Sequence, residues 1–273
     1  MKKQNQMDST NKTLYIPLHG KAYVSKKSLF LTDKKAEEIW QAEQFPLKGK
    51  AKSKWLAYYM GIRCAVFDQW VREKTGQCED TVVLHLGCGM DGRVLRMGNE
   101  HPLWYDVDFP EVIQARKRYY AEDSHYKMLG CDLRDIRWLE QIPPKTHAIV
   151  VMEGVSMYLS AEELQNLLAA VCQRFERVSL LMDCYTDLAV KLSKHRNPVK
   201  DVGVTAVYGL DDPKRLHVDG LNFVKEHEMT PERYIAELHG MEKCIFRRLY
   251  AGGLSKKLYR LYEYEGRKDH VEV

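Results

Sequence analysis

The 273 residues lack the features that mark membrane, secreted or nucleic-acid-binding proteins. No run of about 18 or more apolar residues occurs, so no membrane-spanning helix is expected. The polar segment 1–11 lacks the apolar core of a signal peptide. The net charge is only +4 at pH 7, which argues against a broad basic surface for nucleic acid. We therefore expect a cytoplasmic protein that binds neither nucleic acid nor a membrane.

Cysteine and histidine are present, but not in the patterns of a disulfide-rich domain or a metal site. The seven cysteines are widely spaced, their number is odd, and no Cys-x-x-Cys pair occurs. None of the ten histidines has the spacing of metal ligands. No Ser/His/Asp or Cys/His arrangement is visible either. The pattern favours reduced thiols in a cytoplasm, and it predicts no metal site.

The composition is that of an ordinary globular protein. It is 45% apolar and 29% charged, and a chain of 273 residues can bury a substantial core. This length is long for one domain and short for two. We expect a single domain without internal repeats.

An apolar strand followed by a glycine turn organises the sequence. Segment 82–86 suits a buried parallel strand, and Gly87 and Gly89 permit a sharp turn close to a ligand. A helix-length segment and a second strand follow. This strand ends at Asp108, where a carboxylate can accept hydrogen bonds from both ribose hydroxyls, and Asp106 on the same face is the alternative. The order strand, turn, helix, strand, acid is typical of a nucleotide-binding α/β fold.

The residues of the turn favour one nucleotide over another. The pattern Gly87-x-Gly89-x-x-Gly92 also occurs in dinucleotide-binding proteins. However, Asp91 lies where a dinucleotide places its pyrophosphate and would repel it, although Arg93 could offset the charge. S-adenosylmethionine carries a sulfonium cation and no phosphate, so we expect it as the cofactor. An NAD-binding oxidoreductase and a cofactor-binding protein without acceptor chemistry are the alternatives.

The rest of the chain alternates between strands and helices, which predicts a mostly parallel sheet with helices on both faces. Helices are predicted from residue 33 and over 53–75, 110–121, 160 onward and 231–239. Asp33 is the expected N-cap of the first, and Ser160 with Glu163 three residues later predicts a capping box at the start of the fourth. Further strands are predicted at 127–131, 148–152, 178–182, 221–224 and 255–264, the last of them antiparallel.

The predicted elements divide the single domain into four parts. The N-terminal quarter is expected to cover the carboxyl ends of the strands, and the polar stretch after the fifth strand is expected to be irregular and to face the acceptor. The parts are an N-terminal helical cap (1–76), a cofactor-binding core (80–183), a substrate-facing insertion (184–220), and C-terminal strands and a helix that complete the sheet (221–273).

Four acidic residues each close a predicted strand, at the sheet edge where ligands of such folds bind. Asp108 is assigned to the ribose. Asp132 could accept a hydrogen bond from the adenine amino group, with the Leu133 backbone beside it, or could stabilise a turn. Glu153 could orient the ammonium or ribose of the cofactor, or could interact with a helix dipole. The fourth is Asp183.

One cation interrupts an apolar helix face. Arg63 lies within the helix predicted at 53–75, and an unpaired charge is costly to bury. The carboxylate of the methyl donor, Asp68 and solvent are the candidate partners.

The acceptor site is less defined. An acceptor carboxylate needs no base, whereas an acceptor hydroxyl needs its proton removed. Tyr158, Tyr185, Tyr208 and His195 are candidate pocket residues, with packing roles as the alternative. The basic stretch 191–200 could attract an acidic acceptor or be a solvated surface.

Several motifs in order resemble the leucine carboxyl methyltransferase family, and within it the bacterial branch of polyketide O-methyltransferase-like proteins. The resemblance covers most of the chain. Its motifs lie at residues 16–22, 32–36, 63–68, 86–91, 106–110, 132–133, 153–159 and 209–213. Three positions depart from the family pattern: Lys21 replaces a common Arg, Gly92 a common Thr or Ser, and Asp106 a common Glu.

The resemblance implies a Rossmann-like class I methyltransferase fold with a mostly parallel seven-stranded sheet, and S-adenosylmethionine as cofactor. The favoured hypothesis is an O-methyltransferase that acts on a carboxylate or hydroxyl of a small-molecule acceptor, with a polyketide-like compound as one candidate. Carboxyl methylation of a protein C-terminus is an alternative within this hypothesis. By position, Lys21 and Arg63 would hold the carboxylate of the donor. The turn of Gly87, Cys88 and Gly89 would face its methionine part, Asp108 the ribose, Asp132 and Leu133 the adenine, and Glu153 the region of the sulfur. The identity of the acceptor and the oligomeric state do not follow from the resemblance.

Overall fold

The computed structural model describes residues 13–77, 80–98, 102–196, 206–253 and 255–268. Its strands are β1 (Thr81–Leu86), β2 (Leu103–Asp108), β3 (Tyr126–Gly130), β4 (His147–Met152), β5 (Arg177–Tyr185), β6 (Leu221–Glu226) and β7 (Tyr259–Arg267). Its α-helices are α1 (Tyr15–Lys26), α2 (Lys34–Glu43), α3 (Lys54–Thr75), α4 (Arg93–Arg96), α5 (Pro110–Arg116), α6 (Ala161–Arg174), α7 (Asp187–Arg196), α8 (Glu232–Ile235) and α9 (Gly240–Tyr250).

The strands form one seven-stranded sheet in the order β3-β2-β1-β4-β5-β7-β6. β1 to β5 are parallel, and β7 is inserted antiparallel between β5 and β6. The predicted mostly parallel sheet and its antiparallel last strand are confirmed. The carboxyl ends of β1, β2 and β4 lie side by side, and the loops that follow these strands leave the sheet at this edge.

The core consists of two apolar layers, one on each face of the sheet. Every residue of β1 and β4 is buried, as expected for strands covered on both sides. Successive side chains alternate between the faces, so Val83 and Ile149 pack with the N-terminal helices and Val82 and Ala148 pack with α6. This arrangement puts α1, α2 and α3 on one face, where they approach the carboxyl edge of the sheet.

Local capping sets several helix ends as the sequence predicts. The Asp33 side chain accepts a hydrogen bond from the Ala36 amide at 2.8 Å and begins α2. Ser160 and Glu163 form a reciprocal capping box at the start of α6. These contacts join neighbouring residues, which is why sequence spacing identifies them.

The structure differs from the prediction in three segments. The helix expected after the glycine turn is the single turn α4, since Gly98 takes a φ of +86° and ends the helical conformation. The segment expected to be irregular from residue 184 contains α7, and α9 lies where no helix was predicted. Residues 197–205 of the predicted insertion, which include the last four residues of the basic stretch 191–200, lie outside the described residues. Within the described ranges, no helix has both the length and the apolar character needed to cross a membrane.

Candidate active site

A cavity of about 500 Å³ opens at the carboxyl edge of the sheet, bounded by the loops after β1, β2 and β4 and by α1 and α3. Most of the candidate site residues line it. They are Lys21, Arg63, Gly87, Cys88, Gly89, Asp108, Asp132, Leu133, Glu153, Tyr158, Tyr185 and Tyr208. Arg63 and Asp108, which are carried by different layers of the fold, thus face one shared cavity.

The glycine turn at the floor of the cavity depends on its glycines. Gly87 and Gly89 have φ angles of +65° and +52°, a region that side chains disfavour. A Cβ atom on Gly87 would lie 2.2 Å from Cγ2 of Val155, so the loop after β4 closes directly over the turn. Cys88 between them is 3% exposed, and burial raises the pKa of its thiol well above the usual value.

Asp108 is fixed by two backbone amides beside this turn. Its Oδ2 accepts a hydrogen bond from Gly89 N, and its Oδ1 accepts one from Phe109 N, both at 2.7 Å. Burial outweighs these contacts and raises the pKa of the carboxyl to about 6. Each oxygen keeps a lone pair that can accept a further hydrogen bond from a ligand.

Asp106, the alternative ribose ligand, points away from the cavity. It is fully buried and binds Arg116, and it accepts hydrogen bonds from Tyr126 Oη at 2.6 Å and Trp104 Nε1 at 2.9 Å. His85 Nδ1 lies 2.9 Å from its Oδ1. Burial opposes ionisation of Asp106, but Arg116 and these hydrogen bonds hold its pKa at about 2. Asp106 is therefore part of the structure behind the site.

Asp91, in the turn, is surrounded by cations. Lys21 Nζ lies 3.0 Å from its Oδ2, Arg96 Nη2 lies 2.9 Å from its Oδ1, and Arg93 Nη2 is 3.4 Å away. Burial disfavours the charge, but Arg96, Lys21 and Arg93 together hold the pKa of Asp91 well below its usual range. The sequence indicated only Arg93 as an offsetting charge. Of the other two, Arg96 lies in α4 and Lys21 in α1.

Arg63 has two carboxylate partners, and neither was predicted. Its Nε donates to Glu153 Oε1 at 3.0 Å and its Nη1 to Asp183 Oδ2 at 2.8 Å. Asp183 Oδ1 also accepts a hydrogen bond from Gly154 N at 2.6 Å. The suggestion that Asp68 pairs with Arg63 is wrong, because Asp68 binds Arg93 and Arg96 instead. Asp183, at the end of β5, was recognised as a strand-end acid but given no role.

These contacts join into one buried charge cluster beside the cavity, and four of its members also line the cavity: Lys21, Arg63, Asp91 and Glu153. Its members are the cations Lys21, Arg63, Arg93 and Arg96 and the carboxylates Asp33, Asp68, Asp91, Glu153 and Asp183. Paired charges of this kind tolerate burial, but the loss of one partner is costly. Cys64, Asp91 and Glu153 bring possible metal ligands within 4.8 Å of one another, yet the surrounding cations make this an unsuitable place for a metal ion.

Asp132 and Leu133 lie on the far side of Asp108, after β3. The Asp132 carboxylate accepts hydrogen bonds from the Arg134 amide at 3.0 Å and from Arg134 Nε at 2.9 Å. The turn-stabilising role considered for Asp132 is therefore present in the structure. Arg134 lines the cavity as well, and sequence reasoning did not single it out.

The opposite side of the cavity is lined by tyrosines. Tyr185 packs edge to face on Tyr259, with ring centroids 5.0 Å apart at 88°. Tyr259 lies on β7 and was missed, because it is adjacent to the site only through the sheet. Tyr208 is 44% exposed at the mouth of the cavity. His195 lies in α7, but its side chain is outside the described part of the chain.

Comparison with known proteins agrees with this architecture. The sequence profile described as "Leucine carboxyl methyltransferase" matches residues 8–172. The chain is 30% identical over 187 residues to the tetracenomycin polyketide synthesis O-methyltransferase TcmP of Streptomyces glaucescens, covering 67% of this chain and 69% of that protein. It is 29% identical over 157 residues to an S-adenosyl-L-methionine-dependent methyltransferase of Gibberella zeae, covering 52% and 53%.

The fold is also found among solved structures. Magnesium protoporphyrin IX methyltransferase from Synechocystis PCC 6803 with bound SAM aligns with a TM-score of 0.51 and 11% identity, over 97% of this chain and 100% of that one. Its structure with bound SAH gives 0.50 and 14%, over 85% and 94%. At such low identity the likeness shows the fold alone, and that fold is of the class I methyltransferase type.

Proposed function

The chain belongs to the leucine carboxyl methyltransferase family and is an S-adenosylmethionine-dependent methyltransferase, and we propose that it methylates a carboxylate or hydroxyl oxygen of a small molecule. The observation that carries the site assignment is that Arg63 and Asp108 line one cavity around the glycine turn. The NAD-dependent oxidoreductase considered from the sequence has no support from the matched family.

The charges of the cavity suit a ligand that joins an amino acid to a nucleoside. Lys21 and Arg63 would hold the carboxylate of the methyl donor, and Glu153 its ammonium group. Asp108 would accept the ribose hydroxyls, because two backbone contacts fix it in the cavity lining and each of its oxygens can accept a further hydrogen bond. Asp132 and Leu133 would border the adenine. When bound, the cofactor supplies an activated methyl group, so the residues of the chain need only align the acceptor and exclude water.

The acceptor side favours an oxygen that is already ionised. The cavity-lining residues 155, 157–159, 185, 206, 208 and 259 include no carboxylate, imidazole or amine. Burial raises the pKa of Tyr158 to about 12, so its hydroxyl is a poor base at neutral pH. A neutral hydroxyl acceptor would find no described group here to take its proton. This supports a carboxylate, or an unusually acidic hydroxyl, as the nucleophile.

The tyrosine-lined side also supports an apolar, aromatic acceptor. Rings such as Tyr185 and Tyr259 present flat faces and edges that pack well on planar molecules. The relative from S. glaucescens acts in polyketide synthesis, so we propose polyketide-like aromatic acids as the first class to test. The free cysteines of the described residues fit work in the cytoplasm.

Two measurements test this function. Calorimetric titration with S-adenosylhomocysteine should show one site per chain, and an absence of binding would contradict the assignment of the cavity. Labelled methyl transfer should then be assayed with matched pairs of aromatic acids and phenols. Mild alkali releases methanol from a methyl ester but not from an aryl ether, so the treated product distinguishes carboxyl from hydroxyl methylation.

A further inference from the structure

Behind the cavity, the carbonyl edge of the glycine turn is held by two side chains from and just after α5. Arg116 donates from Nη1 to Gly89 O at 3.0 Å and from Nη2 to Asp91 O at 2.6 Å. Between them, Tyr120 Oη donates to Met90 O at 3.1 Å. Three consecutive carbonyls thus turn away from the cavity and towards α5. We call Arg116 and Tyr120 the turn brace.

The opposite edge of the same turn contacts Asp108, the candidate ligand of the ribose. Gly89 N donates to Asp108 Oδ2 at 2.7 Å while Gly89 O accepts from Arg116. Gly89 is therefore held from both sides, by a cavity residue through its amide and by the turn brace through its carbonyl. A shift of the turn would change the position of the Asp108 carboxylate.

The geometry of the brace requires an arginine. A guanidinium presents several N–H groups in a rigid fork, and Arg116 uses them on two carbonyls, on Asp106 and, through Nε at 3.1 Å, on Tyr126 Oη. The guanidinium carbon also lies 3.9 Å from the centroid of the Tyr120 ring. A lysine in this place would offer a single ammonium that cannot reach both carbonyls and Asp106 together.

Burial explains the presence of Asp106 beside the brace. Arg116 is fully buried, and an unpaired cation there would be prohibitively costly. Asp106 matches its charge and is itself held by His85, Trp104 and Tyr126. Neither Arg116 nor Asp106 lines the cavity, so neither contacts a molecule bound there.

We propose that Arg116 and Tyr120 are positioning residues for cofactor binding: they fix the glycine turn and, through Gly89, the Asp108 carboxylate. This inference rests on the proposed cofactor site. The turn brace contacts the glycine turn and not the acceptor. Its loss should therefore lower the affinity for the cofactor and leave the rate of methyl transfer from bound cofactor unchanged.

Two Tyr→Phe variants, each of which removes one buried hydroxyl group, test whether the turn brace positions the turn for binding or only stabilises the fold. Tyr120→Phe removes the hydrogen bond to Met90 O, whereas Tyr264→Phe removes a matched hydrogen bond from a buried tyrosine to Pro213 O at 3.0 Å, outside the cavity lining and the turn brace. We expect Tyr120→Phe to weaken S-adenosylhomocysteine binding about 3- to 10-fold and to leave kcat at saturating cofactor within about 2-fold. Tyr264→Phe should change the affinity less than about 2-fold. Equal affinities for Tyr120→Phe and the wild-type protein would overturn the proposal.

Arginine variants give a second, larger test. Arg116→Lys should raise the KM for the cofactor about 10- to 100-fold with kcat largely retained. If it does not fold, the charge-neutral pair Arg116→Met with Asp106→Asn removes the buried ion pair together, and its thermal stability should exceed that of Arg116→Met alone. A double variant that is folded and binds S-adenosylhomocysteine as tightly as the wild type would show a purely structural role. Failure of the proposed function itself would appear separately, as absent binding by the wild-type protein.

Discussion

Lys21 Nζ lies 3.0 Å from Asp91 Oδ2, and both side chains are at most 6% exposed. This contact joins α1 to the glycine turn, so α1 is held at the wall of the cavity by an ion pair as well as by apolar packing. Since Arg96 and Arg93 also reach Asp91, the carboxylate retains partners if Lys21 is lost. Lys21 can therefore be changed without leaving an isolated buried charge.

Replacing Lys21 with Met should weaken S-adenosylhomocysteine binding about 10- to 100-fold, the range for one charge-assisted hydrogen bond of roughly 1.5–3 kcal/mol. Isothermal titration measures the change. Lys34→Met is the matched control, because the Lys34 side chain is 75% exposed on α2 and does not line the cavity. An unchanged dissociation constant for Lys21→Met would remove Lys21 from the cofactor site.

Cofactor affinity should depend on pH through Asp108. Burial raises the pKa of this carboxyl to about 6, and only the ionised form can accept hydrogen bonds from both ribose hydroxyls. Binding of S-adenosylhomocysteine should therefore be about tenfold weaker at pH 5 than at pH 7.5 and should release protons near pH 6. Titration in buffers of different ionisation enthalpy detects this release. Asp108→Asn should bind weakly at both pH values, and a wild-type affinity that stays level down to pH 5 would contradict the assignment.

The glycine turn provides a steric test. A Cβ on Gly87 would lie 2.2 Å from Val155 Cγ2 at a φ of +65°, so Gly87→Ala should lose about 1–3 kcal/mol of unfolding free energy and most cofactor binding. Gly240→Ala shares the positive φ, at +53°, but meets nothing within 4 Å, and should cost only about 1 kcal/mol with binding retained. Chemical denaturation and titration measure both quantities. If both variants lost cofactor binding to a similar extent, the contact with Val155 would not be the cause of the loss in Gly87→Ala.

The stability of the protein should fall in mild acid through His147. This side chain contacts Ser179 Oγ at 2.9 Å, and burial, aided by Arg177 and Lys74, lowers its pKa to about 4. The unfolded chain binds a proton at His147 near pH 6.5, whereas the folded chain binds it only near pH 4. The stabilisation of the folded state by neutral His147 is therefore fully present above pH 6.5 and is lost as the pH falls from about 6.5 to 4.

The stability advantage of the wild type over His147→Gln should therefore shrink by about 2 kcal/mol between pH 7 and pH 4.5. Urea denaturation at several pH values measures it. The raised pKa of Asp108 has the opposite effect over part of this range, because protonation of Asp108 stabilises the folded protein as the pH falls. Both proteins contain Asp108, so this effect cancels when their free energies of unfolding are subtracted. A difference that is constant with pH would show that His147 does not govern the acid response.

Local patterns predicted much of the fold. The strand at 148–152 and the turn after β1 can be identified from a few neighbouring residues, because apolar runs and glycine turns are local patterns. The capping box of Ser160 and Glu163 lies within one helical turn and can be identified in the same way. The length of the helix after the glycine turn was not predictable in this way. Its end depends on the conformation of Gly98, and glycine is compatible with both helix and turn.

The sequence by itself determined the class of fold, the glycine turn and the acid that ends β2, because strand periodicity, turn chemistry and strand-end position are local properties. Only the tertiary structure decided that Arg63 meets Asp183, that Lys21 meets Asp91, and that Arg116 holds the turn from behind. These partners are far apart along the chain, and the choice among many acids and bases of suitable charge is made by how the cap, the sheet and α5 pack together.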